Sequence, residues 1–304
     1  MATRRLDAPP RILPLYARAA ATMVPGAGRL PFLPGRGTEI PDVDLQLAPA
    51  TIDPAHLAAY ARVCGLRLRD ELPATYLHVL AFPLHMALMG DPRFPFGAVG
   101  LVHVANRITQ HRPVHAGERP ALHVRATPLV PHPRGRAFTI VSEARVGDEL
   151  VWEDASTILR RGAPAGAPAG DPAASRDGAP AAAGPPDAPA AIAHWRLPGD
   201  LGRRYARVSG DRNPIHLHDV PAKLLGFPRA IAHGMWTKAR CLAALEGRLP
   251  AAYVVDVRFR RPVLLPSTVA FAADFDGQAI AFTARAARDG TPHLAGRVEP
   301  AVGA

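Results

Sequence analysis

The stretch Tyr205-Ala-Arg-Val-Ser-Gly-Asp-Arg-Asn-Pro-Ile-His216 sets a carboxylate, Asp211, five positions before an imidazole, His216, with Asn213-Pro214 between them. Pro214 lacks a backbone donor and disfavours helical geometry at Asn213, so the chain must turn there and can bring Asp211 and His216 toward one point. A histidine titrating near neutral pH beside a carboxylate can share the proton traffic of water addition, one group activating water while the other delivers a proton. The Asn213 amide suits orienting either partner. Taken singly, Asp211 reads as a turn residue and His216 as a structural histidine; the ordered pair points to acid-base chemistry.

The same stretch belongs to an internal repeat. Tyr60-Ala-Arg-Val-Cys-Gly65 matches Tyr205-Ala-Arg-Val-Ser-Gly210 at five of six positions at an offset of 145, and Arg112-Pro113-Val114 echoes Arg261-Pro262-Val263 at 149. Between the copies, residues 162–191 collapse to Ala, Pro and Gly with a few Asp and Ser, a composition that cannot offset its ordering entropy and reads as a flexible linker. The expected organisation is an N-terminal extension over 1–41, one domain over 42–161, the linker, and a second domain of the same fold over 192–304. Ile12-Leu13-Pro14-Leu15-Tyr16-Ala17 suits a short helix packed on the body, and no function is assigned to it.

Periodicity supplies the elements. Met235, Ala239, Leu242 and Leu245 share one face of a helix expected over 234–246, preceded by a shorter helix over 198–208. Tyr253, Val255, Val257 and Phe259 alternate with more polar neighbours as in a half-buried strand, and further strands are expected over 268–275, 279–287 and 293–299. The first half repeats this pattern with strands near 99–109, 121–129, 137–146 and 150–160. The fold class is α+β, each half a central helix wrapped by an antiparallel sheet that buries its apolar face against it.

Composition excludes several classes. The formal charge of +10 and pI near 10.6 invite a nucleic-acid reading, but the arginines are scattered and carry neither a zinc framework nor an RNA-binding signature, so no nucleic-acid partner is expected. No apolar stretch reaches membrane-spanning length and no secretory leader pattern opens the chain; a cytoplasmic protein is expected. Cys64 and Cys241 lie in apolar helical segments and read as buried free thiols. His216 and His218 have a spacing that can bind metal, yet no further ligands complete a tetrahedral site, so no metal is expected.

The motif from Tyr205 to His216, followed by Gly226-Phe227 and Ala232-His233-Gly234-Met235, resembles the signature of the MaoC-like dehydratases, the (R)-specific enoyl-CoA hydratases. That resemblance implies a double hot-dog, with only the second unit keeping the dyad. It implies reversible hydration of trans-2-enoyl thioesters to (R)-3-hydroxyacyl thioesters in fatty-acid metabolism without a cofactor. Its implied roles are catalysis for Asp211 and His216, support for Asn213, and contact of the Gly234 N–H with the thioester carbonyl oxygen. A glycine opening a buried helix does present a free N–H and the positive helix end to a developing oxyanion. Tyr205, Ser209 and His233 read as structural, while Thr237 or Cys241 is a candidate substrate contact and Arg258, Arg260 and Arg261 read equally as contacts for coenzyme phosphates or as solvated residues of a strand face.

The first half departs after Gly65, where Leu66-Arg67-Leu68-Arg69-Asp70 has no counterpart of the dyad and is expected to be catalytically silent. Two registers compete beyond it. The preferred offset of 155 places His78-Val79 at the start of the first central helix and drops the segment that caps the second site; the resemblance implies that such a degenerate half widens the acyl-binding tunnel. The implied partner is an acyl-CoA or acyl carrier protein thioester, and the chain is a pseudo-dimeric monomer or a homodimer. Two alternatives stay open: a hot-dog acyl-CoA thioesterase, and a non-catalytic acyl-binding subunit of a dehydratase complex.

Overall fold

The computed structural model describes residues 2–21, 33–35, 37–98, 100–162 and 190–301. All but the ends of the expected linker therefore lies outside the described residues. The first half runs β1 (Ala2–Leu6), α1 (Ile12–Ala21), β2 (Val43–Leu47), α2 (Pro54–Cys64), α3 (Ala74–Met89), β3 (Leu101–Gln110), β4 (Ala121–Ala126), β5 (Val130–His132), β6 (Gly135–Val146) and β7 (Glu149–Arg161). The second runs β8 (Ala193–Leu197), α4 (Leu201–Ser209), α5 (Pro214–Leu217), α6 (Asp219–Leu224), α7 (Gly234–Ala244), β9 (Tyr253–Phe259), β10 (Ser267–Asp276), β11 (Ala279–Ala286) and β12 (Pro292–Pro300).

The strands form one sheet in the order β1-β2-β4-β6-β7-β3-β9-β12-β11-β10-β8, with β5 hydrogen-bonded to β6. Read outward from the β3–β9 junction, β3, β7, β6, β4 and β2 correspond to β9, β12, β11, β10 and β8, with β1 added at the outer edge of the first side, and each side wraps one central helix, α3 or α7. This is the double hot-dog. The register places Arg107 opposite Asp256, residues separated by the same 149 positions as the Arg-Pro-Val repeat, so the junction lies on a pseudo-two-fold axis. Their exposed ion pair, 3.6 Å long, contributes little to stability but marks where equivalent positions have acquired opposite charges.

The repeated hexapeptide is the last turn and cap of α2 and of α4. Gly65 and Gly210 both end their helices at φ +72°, a left-handed conformation that glycine adopts without steric cost, and both return an N–H to the last turn. Tyr60 and Tyr205, buried with ring centroids 6.2 Å apart, pack these turns together. Before each central helix a strap is tied alike, Leu72 N–H to Val114 O at 2.7 Å and Ala232 N–H to Val263 O at 2.8 Å.

One expectation needs correction. The central helices begin at Ala74 and Gly234, an offset of 160 rather than 155, so His78-Val79 lies a full turn inside α3 and not at its start. The insertion before α7 is longer than the sequence match allowed. Residues 66–73 connect α2 to α3 directly, whereas 211–233 fold into α5, α6 and a loop over the second unit.

Both central helices are surrounded by apolar side chains, and the buried residues of the two halves form one continuous core. A polar chain crosses it. Lys238 of α7, fully buried, donates from Nζ to Asn106 O at 3.3 Å, to Val255 O at 3.1 Å and to Asn106 Oδ1, thereby clamping β3 and β9 together. The Asn106 amide donates to Asp154 Oδ2 at 2.8 Å, and the His78 imidazole of α3 meets the same oxygen at 2.9 Å. Burial pushes Lys238 down to about 7. Burial alone would raise Asp154, but His78, His85 and Asn106 outweigh it and hold the carboxyl well below the usual range. Among the described residues no helix is long and apolar enough to cross a membrane.

Breaking a buried charged network by removing one member leaves the others desolvated and unpaired. Asp154→Leu is expected to destabilise the protein by about 3–5 kcal/mol in urea unfolding, and adding Lys238→Met to cost less than the sum of the two single changes.

Candidate active site

The site loop bonds largely to itself. After Gly210 turns the chain out of α4, Ser209 Oγ accepts the Asp211 N–H at 3.1 Å, Asp211 Oδ1 accepts the Asn213 N–H at 3.1 Å, and Asn213 Oδ1 caps α5 by accepting the Ile215 N–H at 3.4 Å. Pro214 follows at the first helical position, where its missing N–H costs nothing. The single turn of α5 then carries His216 back over α4. There Gly202 leaves room, since a Cβ would stand 1.8 Å from His216 O.

His216 is buried, and its Nδ1 lies 2.8 Å from Ile231 O, which must accept; the proton is thus on Nδ1 and Nε2 is left as the basic nitrogen. Burial lowers its pKa, only partly opposed by Asp211, so the ring is neutral at neutral pH. For Asp211, burial favours the acid form, but His233, His216, the Asn213 N–H and the Tyr16 hydroxyl together hold the carboxyl below its ordinary value. The resting pair is therefore carboxylate and free imidazole.

Two residues of this site were not assigned to it from the sequence. His233, read as structural, stacks on His216 with centroids 3.7 Å apart and donates from Nε2 to Asp211 O at 3.0 Å. Burial pushes it down to about 3. Tyr16, from the N-terminal segment to which no role was given, donates its hydroxyl to Asp211 Oδ1 at 2.9 Å and accepts the Arg212 N–H at 2.8 Å. No motif links Tyr16 to the loop, because the contact spans 195 positions.

Gly234 is the first residue of α7, so its N–H has no intrahelical acceptor. A Cβ there would lie 3.0 Å from the Phe259 ring. Asp211, Asn213, His216 and Gly234 all face one cavity of about 350 Å³ that continues into the first half along Phe82, Met86 and Met89 of α3. Thr237 lines it, whereas Cys241 is buried elsewhere; Arg260 and Arg261 line it and are exposed, whereas Arg258 does not reach it. From the first half's loop, none of residues 66–70 lines the cavity.

Candidate ligand atoms of Asp211, His216 and His233 lie within 4.8 Å of one another. Nδ1 of His216, Nε2 of His233 and Oδ1 of Asp211 are already hydrogen-bonded, which leaves His216 Nε2, His233 Nδ1 and Asp211 Oδ2 as the open atoms of the group. His218 is exposed and does not join His216. A carboxylate and a neutral imidazole on a mostly apolar cavity, beside an unengaged helix N-terminus, suit moving one proton near a polarised carbonyl.

A family model described as MaoC like domain matches residues 187–294. The 3-hydroxyacyl-thioester dehydratase X of Mycobacterium tuberculosis is 40% identical over 273 residues, which cover 90% of this chain and 94% of that protein. The crystal structure of HtdX from the same organism superposes with a TM-score of 0.74 at 36% identity, covering 85% of this chain and 100% of that one. A MaoC-like dehydratase from Phytophthora capsici, at 17% identity, shares the fold with a TM-score of 0.67 over 86% of this chain and 96% of its own. Similarity sustained through both halves, around a loop that gathers Asp211, His216 and Gly234 on one cavity, means that the chain belongs to the MaoC-like dehydratase family.

Proposed function

We propose that this protein reversibly adds water across the double bond of trans-2-enoyl thioesters, giving (R)-3-hydroxyacyl thioesters in fatty-acid metabolism. The observation that carries this reading is the convergence of Asp211 and His216 beside the Gly234 N–H on one cavity. The relative from M. tuberculosis, itself named a 3-hydroxyacyl-thioester dehydratase, supports it.

The mechanism follows from that arrangement. Water held between Asp211 and His216 gives one proton to the pair as its oxygen bonds to the β-carbon. The π electrons shift toward the thioester carbonyl, whose oxygen becomes enolate-like and meets the Gly234 N–H at the positive end of α7. The pair then returns its proton to the α-carbon from the same side, a syn addition in which nothing but water is consumed. Dehydration is the reverse. Asn213 supports the pair by capping α5 and bonding Asp211, so that its role is positioning.

In this reading residues 192–304 form the catalytic unit, while 42–161 form a silent unit that supplies the far wall of the acyl cavity. The β3–β9 junction takes the place of the interface that two separate units would need, so a single chain holds a complete site. Exposed Arg260 at the cavity favours a phosphate-bearing carrier, CoA or acyl carrier protein. Buried free thiols at Cys64 and Cys241 fit a cytoplasmic setting.

Adding the protein to crotonyl-CoA or a longer enoyl-CoA is expected to remove the ultraviolet absorbance of the conjugated double bond without releasing free thiol; thiol release instead would mark a thioesterase. Asp211→Ala and His216→Ala should each lower kcat by about 10²–10⁴-fold, and full activity in both would overturn the assignment. Gly234→Ala, which presses a methyl on the Phe259 ring at 3.0 Å and displaces the N–H, should lower kcat by about ten-fold, measured in the same assay.

A further inference from the structure

The Asp211 carboxylate has two oxygens in different surroundings. Oδ1 accepts the Tyr16 hydroxyl at 2.9 Å and the Asn213 N–H at 3.1 Å. Oδ2 faces His233 Nε2 only at 3.8 Å, and that nitrogen gives its hydrogen to Asp211 O. The donors therefore all converge on one oxygen and leave the other for chemistry.

Tyr16 reaches Oδ1 because α1 is fitted to this place. Ile12 sits against Gly210, where a Cβ would come within 2.3 Å of Ile12 Cδ1, and Leu15 packs toward Gly90 at the end of α3. Tyr16 and Ala19 both line the cavity, and Ala19 is buried. Helix α1 thus bridges the first half's central helix and the second half's site loop. The Tyr16 hydroxyl is used in both directions, since it also accepts the Arg212 N–H. Burial and the adjacent carboxylate push the phenol far above its ordinary range, so it remains a donor.

We propose that Tyr16 is a positioning residue of the active site, locking Asp211 Oδ1 through α1 so that Oδ2 is the oxygen that exchanges the proton with water and the α-carbon. The proposal rests on the hydratase reading above. A half-buried carboxylate on a mostly apolar cavity has two ways to fail: it can rotate, or it can take up a proton and lose its basicity. A hydroxyl hydrogen bond to the ionised form opposes both. The N-terminal segment is then part of the catalytic apparatus even though it precedes both hot-dog units.

Tyr16→Phe keeps the ring and removes only the donor. The hydrogen bond stabilises the charged carboxylate, so its loss must raise the Asp211 pKa. In carbon-13 NMR of aspartate-labelled protein, the resonance that Asp211→Asn abolishes should show its midpoint at higher pH in Tyr16→Phe than in the wild type. In enoyl-CoA hydration kcat should fall on the order of ten-fold, with KM changed by less than about two-fold if Tyr16 acts on the carboxylate rather than on substrate binding. Ile12→Ala, which loosens α1 without touching the hydroxyl, should give smaller changes in the same direction; Leu13→Ala, on the exposed side of α1, should give none. An unmoved Asp211 midpoint, or a loss that falls on KM alone, would overturn the proposal. Absence of hydration in the wild type would instead remove the hydratase reading, and the NMR midpoint still decides whether Tyr16 controls Asp211.

Discussion

The pairing of β3 with β9 is the constraint from which the rest of the molecule follows. Each unit alone would leave a long sheet edge exposed, a template for unwanted pairing. Joining the edges removes both and makes one continuous sheet. The junction also needs a satisfied interior, which Lys238 supplies by donating to carbonyls on both strands. The buried Lys238 amine is accommodated there because Asn106, Asp154 and His78 extend the hydrogen bonding to the opposite central helix. The two halves are thus coupled through polar bonds as well as through a shared core.

Covalent duplication lets the halves diverge while the axis is kept. The Arg107–Asp256 pair shows this at the axis itself. Farther out, the first half joins α2 to α3 by a short connection, and the second spends its longer one on α5, α6 and the loop that holds Asp211 and His216. A cavity with Asp211 and His216 at one end and Phe82, Met86 and Met89 at the other is the outcome of that division.

Several parts of this arrangement were legible before any coordinates. The α7 face of Met235, Ala239, Leu242 and Leu245 is buried, and the alternation from Tyr253 to Phe259 is a strand, because burial on one side imposes its period on the residues. The Asn213-Pro214 turn was readable for the same local reason: proline restricts its own backbone and its neighbour's. The start of α3 was misplaced because a short matching dipeptide cannot report how many residues an intervening loop has gained. The edge strands β1 and β8, and β2 next to β1, were missed, since brief strands near Pro-rich sequence carry little periodic signal.

By itself the sequence determined what is local or repeated: the hexapeptide shared by residues 60–65 and 205–210, the turn that folds Asp211 toward His216, the duplication and the family to which its motif belongs. Only the tertiary structure decided which distant groups meet. Tyr16 reaches Asp211 across 195 positions, Lys238 reaches Asn106 across 132, and His78 reaches Asp154 across 76. Each of these side chains is unremarkable in its own neighbourhood, and what gives it a partner is the cost of burying a polar group unpaired, which applies only once the chain has closed around it.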